Sequence, residues 1–174
     1  MYANCRGIKG KKDSLKEIVE SINPDIIVLN ETMYKKNEKT NLKTYKSYVN
    51  NREEKSGGGI EILVRKNIEN KTIKISEGGT GIEELTIRTE SKKRAINIIS
   101  LYRKIEGRES KENIQKQFSH LKELIERIEH NGEDYILIGD LNAKIGCGKE
   151  GFDGNNKGQN EAGKSLLRLE QTTQ

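Results

Sequence analysis

Two apolar runs in this sequence each end in an acid with an asparagine close by. Tyr135–Ile138 leads into Gly139–Asn142, and Ile26–Leu29 leads into Asn30–Thr32. Short Ile-rich runs that stop at Gly, Asp or Asn are typical of buried β-strands. In α/β folds the carboxyl ends of such strands form the edge where ligands bind. The pattern therefore predicts that Glu31 and Asp140 belong to a binding or catalytic site.

Carboxylates in this position suit a hard divalent cation. Mg²⁺ is typically held by one or two carboxylates together with substrate phosphates, and it can polarise a phosphoryl oxygen and stabilise a leaving alkoxide. Three further side chains could join such a site: the Asn142 amide and the Tyr102 hydroxyl as donors to a phosphate, and Asn4 near a predicted strand end. Each candidate also has an ordinary structural interpretation, as a residue that caps a turn or as a strand-edge tyrosine with a solvated hydroxyl.

The spacing of apolar residues predicts the elements that position these side chains. Strands are expected at 25–30, 45–49, 60–64, 72–75, 84–88, 94–102 and 135–139, and helices at 14–22, 111–129 and 161–170. The pair Ser14 and Glu17 matches a capping box for the first helix. The middle strands have no helix between them, so we expect them to be antiparallel. Since no repeat or linker divides the chain, the pattern predicts one domain over residues 1–174.

Composition narrows the class of protein. Hydrophobic residues make up 32% and charged residues 34% of the chain, values that lean toward disorder. The apolar residues are nevertheless gathered into compact runs, which indicates a folded domain with a thin core. The formal net charge of +5 is compatible with a polyanionic partner. Cys5 and Cys147 make no disulfide or zinc pattern and favour a reducing, intracellular compartment. No apolar stretch or signal peptide predicts a membrane partner.

The order of these motifs resembles the endonuclease/exonuclease/phosphatase family. The residues that carry the resemblance are, in sequence order, Asn4 with Gly7, Pro24–Ile27 with Glu31 and Thr32, Gly58–Leu63, Tyr102, and Gly139–Asn142. Within that family the sequence is most similar to the endonuclease domains of non-LTR retrotransposons and to craniofacial development protein 2-like proteins. The stretches Gly139–Gly146 and Asn160–Leu167 support this narrower match. The resemblance covers nearly the whole chain.

The resemblance implies a fold, a cofactor and a role for each candidate residue. The fold would be a four-layer α/β sandwich, in which two β-sheets pack face to face with helices outside. Glu31 would be the principal ligand of Mg²⁺, or of Mn²⁺ in its place, with Asn4 beside the metal. Tyr102 would contact the scissile phosphate and Asn142 would bind it. Asp140 would orient or deprotonate the attacking water, or assist the leaving group, during in-line hydrolysis of a phosphodiester.

Two departures from the family pattern limit what the resemblance implies. The family usually has a proline two residues after the tyrosine, where this chain has Lys104. The family's catalytic histidine lies in a late Ser-Asp-His motif, whereas the two histidines here, His120 and His130, fall in the predicted helix 111–129 or at its end. We therefore expect the sequence to lack the C-terminal part of the domain, and to have little hydrolytic activity and marginal stability by itself.

Several functions remain open from the sequence. The favoured one is a monomeric DNA endonuclease domain of retroelement origin, active in the nucleus and derived from a polypeptide that also carries a reverse transcriptase. The main alternative is a non-catalytic remnant that at most binds nucleic acid. A lipid or inositol phosphatase of the same family is a further possibility. Gly158–Ser165 also matches the P-loop letters of a nucleotide-binding protein, but the residues before it predict no strand, so a loop that opens a helix is favoured.

Overall fold

The computed structural model describes residues 1–52, 57–76, 81–90, 95–104, 109–146 and 158–172. The strands in these ranges are β1 (Tyr2–Asn4), β2 (Ile26–Asn30), β3 (Tyr45–Asn50), β4 (Ile60–Arg65), β5 (Asn70–Ser76), β6 (Ile82–Glu90), β7 (Ala95–Arg103) and β8 (Asp134–Asp140). The helices are α1 (Lys12–Ile22), α2 (Lys111–His130) and α3 (Glu161–Thr172), and a 3₁₀ turn at Lys9–Lys11 precedes α1. No helix in the described ranges has the length and apolar character needed to cross a bilayer.

The strands form two four-stranded sheets. The first sheet has the order β1-β2-β4-β3 and the second has the order β5-β6-β7-β8. In each sheet one pair is parallel, β1 with β2 and β7 with β8, and the other pairs are antiparallel. The antiparallel pairing predicted for the middle strands is therefore confirmed for β3 with β4, for β5 with β6 and for β6 with β7.

Alternating side chains build the layers, because successive residues of a strand point to opposite faces of its sheet. Val28 of β2 and Leu85 of β6 belong to the apolar core between the two sheets. Ile27 and Leu29, on the other face of β2, pack against α1. On the far side, α2 and α3 pack against apolar residues of β7 such as Ile99. The result is an α/β sandwich with helices outside both sheets, as predicted.

Each strand and helix predicted from spacing is present with slightly different ends. The capping-box prediction for α1 is wrong. The helix begins at Lys12, its N-cap residue is Lys11, and no side chain caps it. The physical reason is that the 3₁₀ turn Lys9–Lys11 leads directly into α1, so the helix starts two residues before Ser14. Ser14 therefore lies inside the first turn and cannot be the N-cap residue. Arg94, Cys147 and the glycine-rich stretch 147–157 lie outside the described residues.

A buried carboxylate fixes the long loop that follows β2. Glu61 of β4 has no exposed surface. It accepts hydrogen bonds from the Thr40 backbone N–H at 2.9 Å, from the Thr40 hydroxyl at 2.6 Å and from the Ser47 hydroxyl. A buried charge is tolerated only when such donors surround it. The loop between Glu31 and β3 is thus attached to the first sheet rather than extending freely from the site.

Candidate active site

All five residues predicted for the site lie at one end of the sandwich. Asn4 is the last residue of β1, and Glu31 directly follows β2. Tyr102 is the penultimate residue of β7, and Asp140 ends β8, with Asn142 two residues further on. The parallel register pairs Asn4 with Asn30 in the first sheet and Tyr102 with Asp140 in the second. Since the carboxyl ends of parallel strands meet at one edge, these two pairs bring the candidate side chains together where the sheets face each other.

The Asn4 amide connects the two acids. Its Nδ2 donates to Glu31 Oε1 at 2.7 Å and to Asp140 Oδ2 at 3.3 Å. Its Oδ1 accepts the backbone N–H of Arg6 at 3.3 Å. A neutral amide has two N–H groups, so it can satisfy one oxygen of each carboxylate without neutralising either charge. The carboxylates of Glu31 and Asp140 therefore share a single small partner.

Tyr102 supplies a phenol next to these acids. Its side chain is 7% exposed and its hydroxyl forms a hydrogen bond with the Glu31 carboxylate. Burial, followed by the Glu31 charge and that hydrogen bond, raises the pKa of Tyr102 to about 12. The hydroxyl consequently keeps its proton across the physiological range and is available as a hydrogen-bond donor.

Asn142 is held in an unusual backbone conformation beside Asp140. Its φ is +48°, in the left-handed region. Its backbone N–H donates to Asp140 Oδ1 at 2.9 Å, and its Nδ2 donates to the backbone carbonyl of Arg103 at 2.6 Å. These bonds tie the turn after β8 to the end of β7. One N–H of the amide is used by the Arg103 carbonyl. The second makes no hydrogen bond within the described part of the chain and is available to a ligand.

The sequence indicates Asn30 only as a neighbour of Glu31, whereas the structure gives it a role of its own. Asn30 has no exposed surface. Its Nδ2 donates to the Leu101 carbonyl at 2.6 Å, and its Oδ1 accepts the Ser100 hydroxyl at 2.8 Å. Because Asn30 belongs to β2 and its partners belong to β7, this side chain joins the two sheets directly beneath the site. A polar residue at the end of an otherwise apolar strand is the one signal that the sequence offers.

Glu83 and Arg52 are a second feature that the sequence did not indicate. Glu83 lies opposite Tyr102 in the β6–β7 register. Its carboxylate accepts the Gly59 N–H at 2.6 Å and forms an ion pair with Arg52. Burial raises the pKa of Glu83 although the Gly59 N–H and Arg52 act in the opposite direction. Tyr102 therefore has a second carboxylate, partly balanced by a guanidinium, in its surroundings.

The loops around the site contain non-glycine residues with left-handed backbone. Their φ values are +45° for Arg6, +53° for Glu31, +54° for Met33 and +48° for Asn142. For a non-glycine residue this backbone conformation costs about 1–2 kcal/mol, and it persists only where the surrounding structure fixes it. Here the Glu31 carbonyl accepts the Gly7 N–H at 2.8 Å, and the Met33 N–H donates to the Gly58 carbonyl at 2.8 Å. The direction of the Glu31 side chain is therefore imposed by neighbouring loops.

The donor set at this site suits Mg²⁺. Three or more His, Cys, Asp or Glu side chains do not gather into a ready-made cluster anywhere in the described residues. Mg²⁺ does not require one, because it retains water and takes its remaining ligands from substrate phosphates. In the part of the chain that the structure describes, neither Glu31 nor Asp140 forms an ion pair with lysine or arginine. Two carboxylates without a cationic partner leave oxygen ligands and negative charge for the metal.

The histidines and the P-loop-like lysine lie elsewhere. His120 of α2 is 3.3 Å from the Glu84 carboxylate, and Glu84 points to the opposite face of β6 from Glu83. His130 ends α2. Lys164 donates to Glu161 Oε1 at 2.8 Å, within the first turn of α3. None of the three contacts the candidate site.

Comparison with known protein families assigns the chain to one of them. Residues 1–155 match the endonuclease/exonuclease/phosphatase family. The chain belongs to this family. Members of the family are hydrolases that act on phosphodiester bonds, and they generally use divalent metals, typically Mg²⁺. No protein of curated function matches the chain significantly.

Solved structures with the same fold include three that differ strongly in sequence. The AP endonuclease LMAP from Leishmania major has 17% identity and a TM-score of 0.76, covering 99% of this chain and 65% of that one. Truncated TDP2 from Caenorhabditis elegans has 20% identity and a TM-score of 0.60, covering 82% and 61%. TDP2 from D. rerio, complexed with a single-strand DNA product, has 15% identity and a TM-score of 0.52, covering 82% and 60%. The chain thus spans 60–65% of the length of these proteins.

Proposed function

We propose that this chain is an Mg²⁺-dependent phosphodiester hydrolase domain that acts on DNA as an endonuclease. The observation that carries the proposal is the pair of carboxylates, Glu31 and Asp140, that share the Asn4 amide and have no cationic partner among the described residues. A protonated phenol and a free amide N–H lie beside them. Family membership supports phosphodiester chemistry in general, whereas DNA as the substrate and an endonuclease reaction are the specific parts of this proposal.

Each side chain has a defined task in the proposed reaction. Glu31 and Asn4 would hold Mg²⁺, which when bound polarises the phosphoryl oxygen and stabilises the leaving alkoxide. The Tyr102 hydroxyl, whose raised pKa keeps its proton in place, donates to a non-bridging phosphate oxygen. The unused N–H of Asn142 donates to the same phosphate. The Asp140 carboxylate orients the attacking water and accepts its proton.

A polyanionic substrate is supported by charge. The formal net charge is +5. Exposed basic residues lie on the two loops that leave the site, Arg6 and Lys9 after β1 and Lys35 and Lys39 after β2. Such side chains would contact phosphates on either side of the cleaved bond. The retroelement origin, the accompanying reverse transcriptase and the nuclear location rest on the motifs Gly139–Gly146 and Asn160–Leu167, and form part of the same proposal.

Plasmid nicking tests the reaction. We expect the chain to nick supercoiled DNA only slowly with Mg²⁺ and not at all in EDTA, because the late Ser-Asp-His motif of the family is missing from the sequence. Glu31→Gln and Asn142→Ala should each reduce this slow rate by roughly a hundredfold. Asp25→Asn is the matched control, because Asp25 lies at the opposite end of β2 and pairs with Arg65 at 3.2 Å. Nicking by Glu31→Gln at the rate of the unmodified chain would contradict the proposal.

A second candidate function is supported by one observation. In the described ranges, no histidine lies beside Asp140 to act as a general base, since His120 pairs with Glu84 on another face of the second sheet. The chain would then bind nucleic acid without cleaving it. The nicking experiment distinguishes the two functions when DNA binding is measured in parallel, because retained binding without Mg²⁺-dependent nicking supports the non-catalytic alternative.

A further inference from the structure

The start of α3 is bonded to the turn that carries Asn142. The Asn160 side chain donates from Nδ2 to the Asn142 carbonyl at 3.0 Å. Its Oδ1 accepts the Lys144 N–H at 3.0 Å and the Gly163 N–H at 2.7 Å. The Asn160 backbone N–H also donates to the Lys144 carbonyl at 3.1 Å. One residue thus acts as the N-cap of α3 and bonds to two residues of the segment that follows β8.

Helix α3 packs closely against the backbone of Lys144 at Gly163. A Cβ atom at residue 163 would lie 1.8 Å from the Lys144 carbonyl oxygen, so a larger residue could not approach so closely. This contact accounts for the glycine in the P-loop-like letters of Gly158–Ser165. Lys164 bonds to Glu161 rather than pointing toward a phosphate site. The motif therefore docks α3 onto the 141–146 segment.

Asn142 needs such support because its backbone is strained. Its φ of +48° is maintained by three bonds: its N–H to Asp140, its amide to Arg103, and its carbonyl to Asn160. The first two bonds hold the residue from the side of the sheet. Within the described residues, Asn160 supplies the bond from the other side, at the carbonyl whose direction sets the turn.

We propose that Asn160 is a positioning residue, which fixes the Asn142 carbonyl and thereby the geometry of the Asn142 amide and the Asp140 carboxylate. This inference rests on the proposed function, because the geometry matters only if Asn142 and Asp140 act on a phosphodiester. Asn160 itself does not touch the substrate. Its contribution is to prevent the turn from relaxing out of the left-handed conformation.

Two substitutions separate positioning from helix capping. Asn160→Asp keeps the acceptor oxygen that caps α3 and remains a good N-cap, but it replaces the Nδ2 donor to Asn142 with an oxygen that repels the carbonyl. Ser110→Ala is the matched control. Ser110 caps a different helix, α2, by accepting the Asn113 N–H at 3.1 Å. Both variants and the unmodified chain are assayed for nicking and for thermal unfolding.

We expect Asn160→Asp to lower kcat by at least about tenfold and to change KM much less, since the Asp140 carboxylate that the turn positions acts on the attacking water after the substrate has bound. Ser110→Ala should lower the unfolding midpoint and leave kcat unchanged. A kcat for Asn160→Asp equal to that of the unmodified chain would overturn the inference and leave the proposed function standing.

Failure of the proposed function has a different signature. If the unmodified chain does not nick DNA, amide hydrogen exchange by NMR still tests the positioning role. Faster exchange at Asn142 in Asn160→Asp than in the unmodified chain, with α2 unaffected, supports it. Equal exchange at Asn142 in the two proteins overturns it.

Discussion

Single side chains at this site have more than one task. The Asn4 amide separates two carboxylates that would otherwise repel, and it leaves their charges intact for a cation. Burial raises the pKa of the Tyr102 phenol, and the Glu31 charge that would attract the metal raises it further. Each residue therefore sets the electrostatic state of its neighbour before any substrate arrives.

Replacing Asn4 tests the first of these effects. Asn4→Ala should lower the free energy of unfolding by about 2 kcal/mol in metal-free protein at neutral pH, because two bonds to charged groups are lost and the carboxylates face each other unshielded. Chemical denaturation measures the change. Asn113→Ala, an exposed asparagine on α2, serves as the control and should change stability little. An equal loss in the two variants would contradict the bridging role.

Alkaline titration tests the state of Tyr102. Its pKa is raised from 10.0 to about 12, so the folded state favours the protonated phenol. This contribution to stability is complete below pH 10.0 and is lost as the pH rises through about 12. The ultraviolet titration of the unmodified chain minus that of Tyr102→Phe should give a phenol with a midpoint near 12. A difference curve with its midpoint at the ordinary value for tyrosine would contradict this environment.

At the scale of elements, the site depends on how strands from two sheets are joined. Asn30 connects β2 to β7 across the sandwich. Gly139 lets β8 approach β7, because a Cβ atom at that residue would lie 1.9 Å from the Leu101 carbonyl oxygen. The carboxyl ends of β2, β7 and β8 therefore have little freedom to separate.

Removal of the inter-sheet bond should destabilise the whole sandwich. Asn30→Ala leaves the Leu101 carbonyl and the Ser100 hydroxyl buried without their partner, and we expect a loss of about 2–4 kcal/mol in the free energy of unfolding. Ser100→Ala removes only one of the two bonds and should cost less. Denaturant unfolding of both variants provides the measurement. A larger loss for Ser100→Ala than for Asn30→Ala would exclude Asn30 as the main connection.

Gly139 provides a steric test of the same region. Gly139→Ala should reduce stability by more than about 3 kcal/mol or prevent folding, because backbone atoms of β7 would have to move. Gly10→Ala is the matched control, since a Cβ atom at Gly10 meets nothing within 4 Å. The midpoints of thermal unfolding of the two variants are compared. Similar midpoints would show that β8 can shift away from β7 without loss of stability.

The elements also mark what the sequence could predict. Strands β2 and β8 were identified because their apolar runs are short and end in Asn, Gly or Asp, which is local information. The start of α1 was misplaced because a 3₁₀ turn rich in lysine has no apolar signal of its own. The pairing of Glu83 with Tyr102, and the bond from Asn30 to Leu101, depend on strand register and on the packing of two sheets. Neither is encoded in the spacing of neighbouring residues.

At the scale of the whole molecule, the end that carries the site has exposed cations of its own. Arg6 and Lys9 are exposed at the end that carries the site. At the other end, Arg65 is engaged by Asp25 at 3.2 Å and by the Asn23 carbonyl at 2.8 Å. A polyanion should therefore approach the end that carries Glu31 and Asp140, with the exposed cations offsetting the repulsion from those acids.

Salt dependence tests this arrangement. The affinity for a short DNA duplex in Ca²⁺ should fall with salt, and Arg6→Gln should reduce the slope of log K against log salt by about one. Arg65→Gln removes the same charge from the distal end and should leave the slope unchanged. Equal slopes for the two variants would show that the duplex does not contact the loop after β1.

The left-handed residues of the site loops imply a conflict between stability and activity. Glycine is the residue best suited to the backbone at Arg6, Glu31, Met33 and Asn142. Selection for thermal resistance alone would therefore favour glycine at all four positions, and at Glu31 and Asn142 it would erase the carboxylate and the amide that the proposed chemistry uses. Met33→Gly is the one replacement among the four that offers stabilisation without removing a charged or polar group. Engineering of a thermally more stable protein should therefore begin with Met33→Gly and leave Arg6, Glu31 and Asn142 unchanged in their strained backbone conformation.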